Sequence, residues 1–308
     1  MKKLLSICLS ITIALAGSSA ATGASQTETL SWGLDRIDQP TAALDNRFTY
    51  PDTAGAGVRI YIVDTGVQAT NTGFAGRVAT GYDALARLRD PNQSSMDCSG
   101  HGTAVAGIAA SSVYGIAKAA TIVPVRVATC SGGVSADSLV KGIDWIIKNH
   151  PRNSAGVVNI SLAVNKSKAV DTAIDRLYTA GLVPVVAAGN FASDACRISP
   201  AGAPRALVVG ATSRLDHRVN TSNFGECVKV FAPGASIMTE GLTAPVERTG
   251  TSFAAPLVSG AIALYLNKNP KARPAEVIGT IVKSGQSGVV VNSNSTSSVL
   301  LNIEFLNR

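Results

Sequence analysis

Apolar runs that alternate with helical patterns constrain the fold of this chain more strongly than any other feature. Six runs have the composition of buried β-strands: Val58–Val63, Thr121–Val127, Val157–Ser161, Leu182–Ala188, Ala206–Ala211 and Val228–Ala232. Four stretches have helical spacing: His101–Ala110, Asp137–Asn149, Lys168–Ala180 and Phe253–Asn267. Strands that are apolar along their whole length are buried on both faces. The pattern predicts a single doubly wound α/β domain, with a central, mainly parallel sheet and helices on both faces.

Residues 1–20 have the features of a cleaved secretory signal. Lys2 and Lys3 precede an apolar run from Leu4 to Ala16, and small residues follow it. This run is too short to span a bilayer comfortably, so we expect a secreted, extracellular protein that has no membrane partner once the signal is removed. Residues 21–30 are expected to be a short N-terminal tail with no recognisable pro-domain, and residues 31–308 to form the folded domain.

Composition and charge favour a globular protein without a nucleic-acid partner. Of the 308 residues, 46% are hydrophobic and 15% are charged, which is enough apolar material for a substantial core. Removing the signal, which carries two lysines and no acids, lowers the formal net charge from +7 to +5. This excess forms no basic block and is not interleaved with aromatic residues, so we expect no nucleic-acid binding. We also expect a monomer.

Four cysteines lie outside the signal: Cys98, Cys130, Cys196 and Cys227. An even number of cysteines in a secreted chain predicts two disulfide bonds, and four cysteines allow three connectivities. The competing interpretation is a zinc site. Zinc ligands usually include a pair of cysteines separated by two residues, and this chain has no such pair, so we expect disulfides.

Ser252 lies where an irregular region ends and a buried helix is predicted to begin. A serine at a helix start is a common N-cap, because its hydroxyl accepts a hydrogen bond from a backbone N–H that has no partner in the helix. The neighbouring Gly250 and Pro256 also suit a backbone that approaches a ligand closely and presents a hydroxyl beside free N–H donors. Ser252 is therefore either a cap or a nucleophile. A nucleophilic serine requires a base, an orienting carboxylate and an oxyanion donor.

Asp64 and His101 have the positions that such an acid and base require. Asp64 follows the first predicted strand, and sites in parallel sheets form beyond the carboxyl ends of strands. The triplet Asp64-Thr65-Gly66 is also typical of a simple turn. His101 begins a predicted helix rich in small residues, whereas the other two histidines have the surroundings of surface residues. A neutral imidazole with a pKa of about 6.5 accepts a serine proton at neutral pH.

Asn190 is the candidate oxyanion donor. It follows Gly189 and the predicted strand Leu182–Ala188, so its amide lies at another strand end. A Gly-Asn pair is also a common turn. In the functional interpretation the amide and the backbone N–H of Ser252 donate to the oxyanion, and loss of one such donor costs about 3–4 kcal/mol of transition-state stabilisation.

Four motifs resemble those of the subtilisin-like serine proteases. They are V-D-T-G-V, H-G-T-A-V-A-G, A-A-G-N and G-T-S-F-A-A-P, and they contain Asp64, His101, Asn190 and Ser252. The cysteine spacing and the stretches W-G-L-D-R-I-D-Q and D-C-S-G-H-G-T are similar to the proteinase K and aqualysin branch. The resemblance extends from Trp32 to the C-terminus.

The resemblance implies a secreted serine endopeptidase that acts on extended polypeptides through an acyl-enzyme and needs no cofactor for catalysis. By this resemblance, Ser252 would attack the peptide carbonyl and His101 would carry the proton. Asp64 would orient His101 and stabilise its charged form, and Asn190 would bind the oxyanion together with Ser252.

The resemblance also implies the disulfides Cys98–Cys130 and Cys196–Cys227 and a set of substrate-binding residues. These residues are Gly132, Gly133, Val134, Ser161, Leu162, Ala163, Val164, Ala188 and Gly189. Ala163 and Val164 stand where the family has two glycines. Their β-carbons should narrow the pocket, so we predict a preference for small or medium apolar side chains before the scissile bond.

Calcium is a candidate structural ion. Asp35, Asp38, Gln39 and Asp45 resemble an N-terminal calcium site of the aqualysin branch. Their side chains supply oxygen ligands, which hard cations prefer.

Two other functions stay open. The first is a catalytically silent, secreted peptide-binding homologue, which the missing pro-segment and the altered pocket wall favour and the intact set of four site residues opposes. The second is an esterase with the same catalytic residues. Peptide turnover separates an endopeptidase from both.

Overall fold

A computed structural model of the protein describes residues 23–86 and 96–307. The predicted signal, residues 1–20, lies outside these ranges. The strands are β1 (Gly23–Thr27), β2 (Arg47–Pro51), β3 (Val58–Asp64), β4 (Tyr82–Asp83), β5 (Thr121–Arg126), β6 (Ala155–Ile160), β7 (Val164–Asn165), β8 (Val183–Ala187), β9 (Ile198–Ser199), β10 (Leu207–Thr212), β11 (Val228–Pro233), β12 (Ile237–Thr239) and β13 (Val246–Arg248). The helices are α1 (Trp32–Ile37), α2 (His101–Ala110), α3 (Ala136–Asn149), α4 (Lys168–Thr179), α5 (Thr251–Lys268) and α6 (Pro274–Ser284).

A seven-stranded parallel sheet forms the centre of the fold. Its strand order is β11-β10-β8-β6-β3-β5-β4, and every pair of neighbours runs parallel. Helices α2, α5 and α6 pack against one face, and α3 and α4 pack against the other. The predicted fold class, a doubly wound α/β domain, is confirmed.

The strands are apolar along their length because helices cover both faces of the sheet. In β3, Ile60 and Ile62 join the core under α2 and α5, whereas Tyr61 and Val63 join the core under α3 and α4. Successive side chains of a strand point to opposite faces, so a strand covered on both sides needs apolar residues at consecutive positions.

The sheet brings three segments of the candidate site to one edge. β3 pairs with β5 on one side and with β6 on the other, so the chain order reverses at β3. In parallel sheets ligands bind beyond the carboxyl ends of the strands at such a reversal. The carboxyl ends of β3, β6 and β8 lead directly to Asp64, Ser161 and Asn190.

Three two-stranded antiparallel sheets lie outside the central sheet: β1–β2, β7–β9 and β12–β13. In the first of these, β1 lies within residues 21–30, which the sequence predicts to be a short N-terminal tail. This strand is largely exposed and polar and pairs with the next strand, β2, so no local apolar pattern marks it. Across residues 23–86 and 96–307, no helix is long and apolar enough to cross a membrane.

Candidate active site

Asp64 and His101 meet at the carboxyl end of β3. Asp64 is the last residue of the strand and is fully buried, and His101 is the first residue of α2. The Nδ1 atom of His101 lies 2.7 Å from Oδ1 of Asp64. The backbone N–H of Thr65 donates to the same oxygen at 2.8 Å. The carboxylate is therefore held in place while it receives a hydrogen bond from the imidazole.

A second buried carboxylate, Asp97, fixes the start of α2 against the end of β3. Its two oxygens accept hydrogen bonds from the hydroxyls of Thr65 and Thr103 and from the backbone N–H groups of Ser99, Gly100 and Thr103. Burial alone would raise the pKa of Asp97. The hydrogen bonds outweigh burial and hold this pKa below its ordinary value, so Asp97 stays ionised.

Gly102 lets α2 approach β3 closely. A β-carbon at this position would lie 2.1 Å from the Gly66 carbonyl oxygen and 3.1 Å from the Asp64 β-carbon. The Gly102 backbone N–H donates to the Thr65 hydroxyl at 2.9 Å. Any side chain at Gly102 would therefore push His101 away from Asp64.

Opposing effects act on the pKa of His101. Burial disfavours the charged imidazolium and lowers the pKa. The charge of Asp64, the hydrogen bond to it and the charge of Asp97 act in the other direction, and they prevail over burial and the charge of Arg248. The net pKa is raised above its ordinary value, which makes His101 a stronger base. Its ring packs against Phe253, with the ring centroids 5.3 Å apart.

Ser252 lies in the first turn of α5 and is almost completely buried. The helix begins at Thr251 with Gly250 as its N-cap, slightly earlier than the sequence predicts, so the Ser252 hydroxyl is not the helix cap. This hydroxyl donates to the carbonyl oxygen of Ser161 at 3.1 Å. Within the part of the chain that the structure describes, it makes no hydrogen bond to His101, although the two residues are linked through the contact between His101 and Phe253.

Asn190 turns its amide toward the start of α5. Its Oδ1 accepts hydrogen bonds from the backbone N–H and the hydroxyl of Thr251, at 2.9 and 3.1 Å. The Thr251 hydroxyl in turn accepts the Gly189 backbone N–H at 3.1 Å. Because the amide oxygen is engaged, the Nδ2 group with its two N–H donors is the part of Asn190 that can serve a ligand.

Asn223 is fully buried and holds the segment that carries Asn190. Its Oδ1 accepts the backbone N–H groups of Phe191 and Ser193 at 2.9 and 3.1 Å. Its Nδ2 donates to the carbonyl oxygen of Ala188 at 2.9 Å. One side chain thus fixes the backbone on both sides of the candidate oxyanion donor.

A cavity of about 660 Å³ lies between the predicted substrate-binding segments. Its lining residues are Val134, Ala136, Ala163, Val164, Asn165, Lys166, Ser167, Phe191, Ser193 and Ile198. Three of the predicted residues, Val134, Ala163 and Val164, line this cavity. Phe191, which sequence reasoning does not single out, also lines it and is 67% exposed.

The other predicted substrate-binding residues surround the same region. Gly132 and Gly133 form an exposed turn, in which the Thr129 N–H donates to the Gly133 carbonyl at 2.9 Å. Ser161 contacts Ser252 directly, and Leu162 is half-buried. Ala188 and Gly189, also predicted, precede Asn190 at the end of β8 and are held through the Asn223 and Thr251 contacts described above.

Both disulfides that the resemblance implies are present, Cys98–Cys130 and Cys196–Cys227. The first joins the segment between Asp97 and α2 to the segment after β5, so it tethers the region that positions His101. The second joins the segment after Asn190 to the start of β11.

The four candidate calcium ligands lie in and after α1. Asp35 accepts the backbone N–H of Asp45 at 3.2 Å, and Asp38 accepts that of Thr49. The Gln39 side-chain nitrogen donates to the backbone carbonyls of Thr41 and Ala43. Within residues 23–86 and 96–307, no group of three or more His, Cys, Asp or Glu side chains is placed to hold a metal ion.

These acids nevertheless influence one another. Burial, helped by the charges of Asp35 and Asp45 and opposed by the hydrogen bond from Thr49, raises the pKa of Asp38 to about 7. Burial also raises the pKa of Asp35, and the neighbouring Asp45 adds to that shift. The cluster therefore carries negative charge that hydrogen bonds within the protein do not fully balance.

Sequence reasoning missed three buried polar side chains near the site: Asp97, Asn159 and Asn223. Asn159 offered a signal, because it is a polar residue inside an otherwise apolar strand. Asp97 and Asn223 lie in loops, where Asp and Asn are common for local reasons, so no local pattern distinguishes them from ordinary turn residues.

The chain is similar to known serine proteinases over most of its length. A family model described as the subtilase family matches residues 55–298. The extracellular serine proteinase of Thermus sp. (strain Rt41A) is 45% identical over 274 residues, which cover 88% of this chain and 65% of that protein. The alkaline serine exoprotease A of Vibrio alginolyticus is 39% identical, over 90% of this chain and 51% of that protein.

A solved structure agrees with these similarities. The crystal structure of a cold-adapted subtilisin-like serine proteinase superimposes with a TM-score of 0.85 and 38% identity, over 90% of this chain and 98% of that one. The chain spans between about half and two thirds of the length of the two curated relatives described above.

Proposed function

The chain belongs to the subtilase family, and we propose that it is a secreted serine endopeptidase that hydrolyses extended polypeptides through an acyl-enzyme. The observation that carries this proposal is the 2.7 Å hydrogen bond between His101 and Asp64, formed beside the helix turn that contains Ser252. The names of the relatives, which include an extracellular serine proteinase, support both the chemistry and the location.

Asp64 prepares His101 to act as the general base. The carboxylate accepts the Nδ1–H of His101, which leaves the Nε2 lone pair free to take a proton. Because Asp64 also stabilises the charged imidazolium, the raised pKa of His101 favours proton uptake. The Ser252 hydroxyl must turn from the Ser161 carbonyl toward His101 before it attacks, and rotation about its Cα–Cβ bond accomplishes this.

Asn190 and the backbone of Ser252 stabilise the oxyanion. When Ser252 attacks the substrate carbonyl, negative charge develops on the carbonyl oxygen. The Nδ2 group of Asn190 donates to this oxygen, because its Oδ1 is fixed by Thr251. The Ser252 N–H belongs to the first turn of α5, where backbone N–H groups lack helix partners, and it supplies the second donor.

The tetrahedral intermediate then collapses. The charged His101 gives its proton to the leaving amine, the C–N bond breaks, and the acyl group stays on Ser252. His101 next accepts a proton from water, the hydroxide attacks the acyl carbonyl, and the proton returns to Ser252. The second product leaves as a carboxylic acid.

The substrate before the scissile bond is proposed to carry a small or medium apolar side chain. Ala163 and Val164 line the cavity, where their side chains take up space that glycine would leave open, and Val134 and Ile198 add apolar surface to its wall. A peptide library digested by the protein should show this preference at the position before each cleavage site. Enrichment of charged or large aromatic residues at that position would contradict it.

A structural calcium ion held by Asp35, Asp38, Gln39 and Asp45 is also part of the proposal. The mutual repulsion of the acids supports it, since a divalent cation would neutralise this charge. Binding requires the side chains to draw together from their present positions. Calorimetric titration with calcium tests the site without using activity, and Asp38→Asn should abolish the saturable heat.

The position of the Ser252 hydroxyl favours one alternative, the catalytically silent peptide-binding homologue, because this hydroxyl donates to Ser161 and not to the base. A fluorophosphonate probe distinguishes the two functions. We expect the probe to label Ser252 and to leave the Ser252→Ala protein unlabelled. Casein should be degraded by the wild-type protein and not by the Ser252→Ala variant. Peptide binding with neither labelling nor turnover would replace the endopeptidase with the silent homologue, and ester hydrolysis without peptide hydrolysis would make it an esterase.

A further inference from the structure

The starting observation is a fully buried asparagine in the central sheet. Asn159 belongs to β6 and faces α5, on the same side of the strand as Val157. Its solvent exposure is zero. A buried amide without hydrogen-bond partners is costly, so the contacts of Asn159 indicate why the fold retains it.

Asn159 is the middle member of a chain of hydrogen bonds that all point toward Ser252. The hydroxyl of Ser259, on α5, donates to Asn159 Oδ1 at 2.9 Å. Asn159 Nδ2 donates to the Ser161 hydroxyl at 3.0 Å. The Ser161 hydroxyl donates to the backbone carbonyl of Ser252 at 2.9 Å. Each group donates a hydrogen bond to the next, and the last acceptor is the backbone carbonyl of Ser252.

Pro256 explains why the Ser252 carbonyl is available. In a regular helix this carbonyl would accept the backbone N–H four residues later. Residue 256 is a proline inside α5, and proline has no N–H to donate. The Ser161 hydroxyl supplies the hydrogen bond that the helix cannot.

Ser161 therefore holds Ser252 at two points. Its hydroxyl donates to the Ser252 carbonyl at 2.9 Å, and its carbonyl accepts from the Ser252 hydroxyl at 3.1 Å. The hydroxyl of Ser161 has one proton, and Asn159 Nδ2 occupies its acceptor side, so the direction of the bond to Ser252 is fixed.

We propose that Asn159 and Ser259 are positioning residues for Ser252 that act through Ser161. Neither touches the substrate. They orient the Ser161 hydroxyl, which holds the Ser252 backbone carbonyl and thereby fixes the first turn of α5, from which the Ser252 side chain and N–H project. This proposal rests on the proposed function of Ser252 as the nucleophile.

Ser259→Ala tests the proposal with the smallest change. It removes one hydroxyl and leaves the Asn159 amide oxygen without its donor. We expect kcat to fall about fivefold, the value that corresponds to one net hydrogen bond, with KM nearly unchanged. The second-order rate of fluorophosphonate labelling should fall by the same factor, because labelling reports only the reactivity of Ser252.

The matched control is Ser111→Ala. Ser111 is also fully buried and donates to a side chain, Glu240, but it follows the last residue of α2, and within residues 23–86 and 96–307 it makes no hydrogen bond to Ser161 or Ser252. We expect this variant to lose thermal stability while it keeps the labelling rate. Equal loss of labelling in both variants would mean that general destabilisation, and not positioning, is responsible.

A double-substitution cycle supplies the decisive comparison. Asn159→Leu has a similar volume and breaks the chain in the middle, so we expect kcat to fall further, by about 10- to 50-fold. Adding Ser259→Ala to it should cause no further loss, and independent, multiplying effects would overturn the proposal. If Asn159→Leu does not fold, the Ser259→Ala labelling rate decides alone. A labelled wild type with an unaffected Ser259→Ala variant refutes positioning only, whereas an unlabelled wild type refutes the nucleophile and the positioning together.

Discussion

Replacing Asp97 by asparagine tests how one buried carboxylate controls the candidate base. One Asp97 oxygen accepts from the Thr65 hydroxyl and two backbone N–H groups, and the other accepts from the N–H and hydroxyl of Thr103. Asparagine keeps the shape and one oxygen but places an NH₂ group where the second oxygen stood. The Thr103 hydroxyl can turn and accept, but the Thr103 N–H then faces another donor.

The expected loss of stability follows from these contacts. A buried backbone donor without a partner costs about 1–3 kcal/mol, and the remaining hydrogen bonds lose the strength that the charge gives them. We therefore expect a total destabilisation of about 3 kcal/mol. At about 2–4 °C per kcal/mol for a domain of this size, the unfolding midpoint should fall by about 6–12 °C.

The same substitution should change the pH dependence of activity. The charge of Asp97 is one of the causes that raise the pKa of His101, so its removal lowers that pKa. The acid limb of kcat/KM, on which His101 must lose its proton, should move to lower pH. The difference in stability between the wild type and Asp97→Asn should also depend on pH. Because the folded state holds the pKa of Asp97 low, the ionised carboxylate contributes its full stabilisation above about pH 4, and this stabilisation is lost as the pH falls through the folded-state pKa.

Two measurements separate these effects. Thermal unfolding is followed in the Ser252→Ala background, which prevents self-digestion, and pH–rate profiles are recorded with Ser252 intact. The control is Asp137→Asn, which removes the charge of an exposed carboxylate whose ion pair with the exposed Lys141 contributes little to stability. An unfolding midpoint equal to that of the control, or an acid limb that stays in place or moves to higher pH, would contradict the role assigned to Asp97.

Three further predictions concern the core, the acid cluster and the oxyanion donor. Arg36→Met leaves the buried carboxylate of Asp216 without the guanidinium that donates to it at 3.0 and 2.9 Å, so we expect the free energy of unfolding in urea to fall by about 3–5 kcal/mol. Adding Asp216→Leu should restore part of this free energy, and a double variant less stable than the single one would contradict the prediction. In EDTA the raised pKa of Asp38 should make the protein less stable as the pH rises from about 4 to 7, because the folded state holds the Asp38 proton more tightly than the unfolded state does. Asp38→Asn or excess calcium should reduce this loss of stability. The same slope of stability against pH in all three samples would exclude Asp38 as its cause. Asn190→Leu should lower kcat by about 10²–10³-fold with little change in KM, and a change confined to KM would show that Asn190 binds substrate instead.

The sequence predicts those parts of this fold that depend on neighbours close along the chain. The apolar strands and the helices α2, α3 and α4 follow from local composition, and the structure has them within a few residues of the predicted bounds. Strand β1 was not predictable in this way, because it is polar and its backbone pairs with β2. The start of α5 was displaced for a related reason: Gly250 caps the helix with a φ of 141°, a conformation that the residues after it do not reveal.

Local sequence patterns likewise mark some residues of the candidate site and not others. Asp64, His101, Asn190 and Ser252 stand at strand ends and helix starts, which local patterns mark. Asp97 and Asn223, which help to hold them, lie in loops that no local pattern distinguishes. Asn159 is marked as a polar residue inside an apolar strand, but its partner Ser259 lies 100 residues along the chain, so local patterns do not reveal the contact. The reactive groups of this site are therefore easier to predict from the sequence than the groups that orient them.

Asp97 and Asp38 show why burial alone does not determine the charge of an acid in this protein. Desolvation is the largest influence on both, yet the pKa of Asp97 falls and that of Asp38 rises to about 7. Asp97 is surrounded by donors from hydroxyls and a helix start. Asp38 accepts the N–H of Thr49 but also faces the like charges of Asp35 and Asp45. The charge of the first acid is stabilised by hydrogen bonds within the chain, so Asp97 can support His101 at neutral pH. The charge of the second is not balanced in this way, which supports the calcium ion proposed at α1.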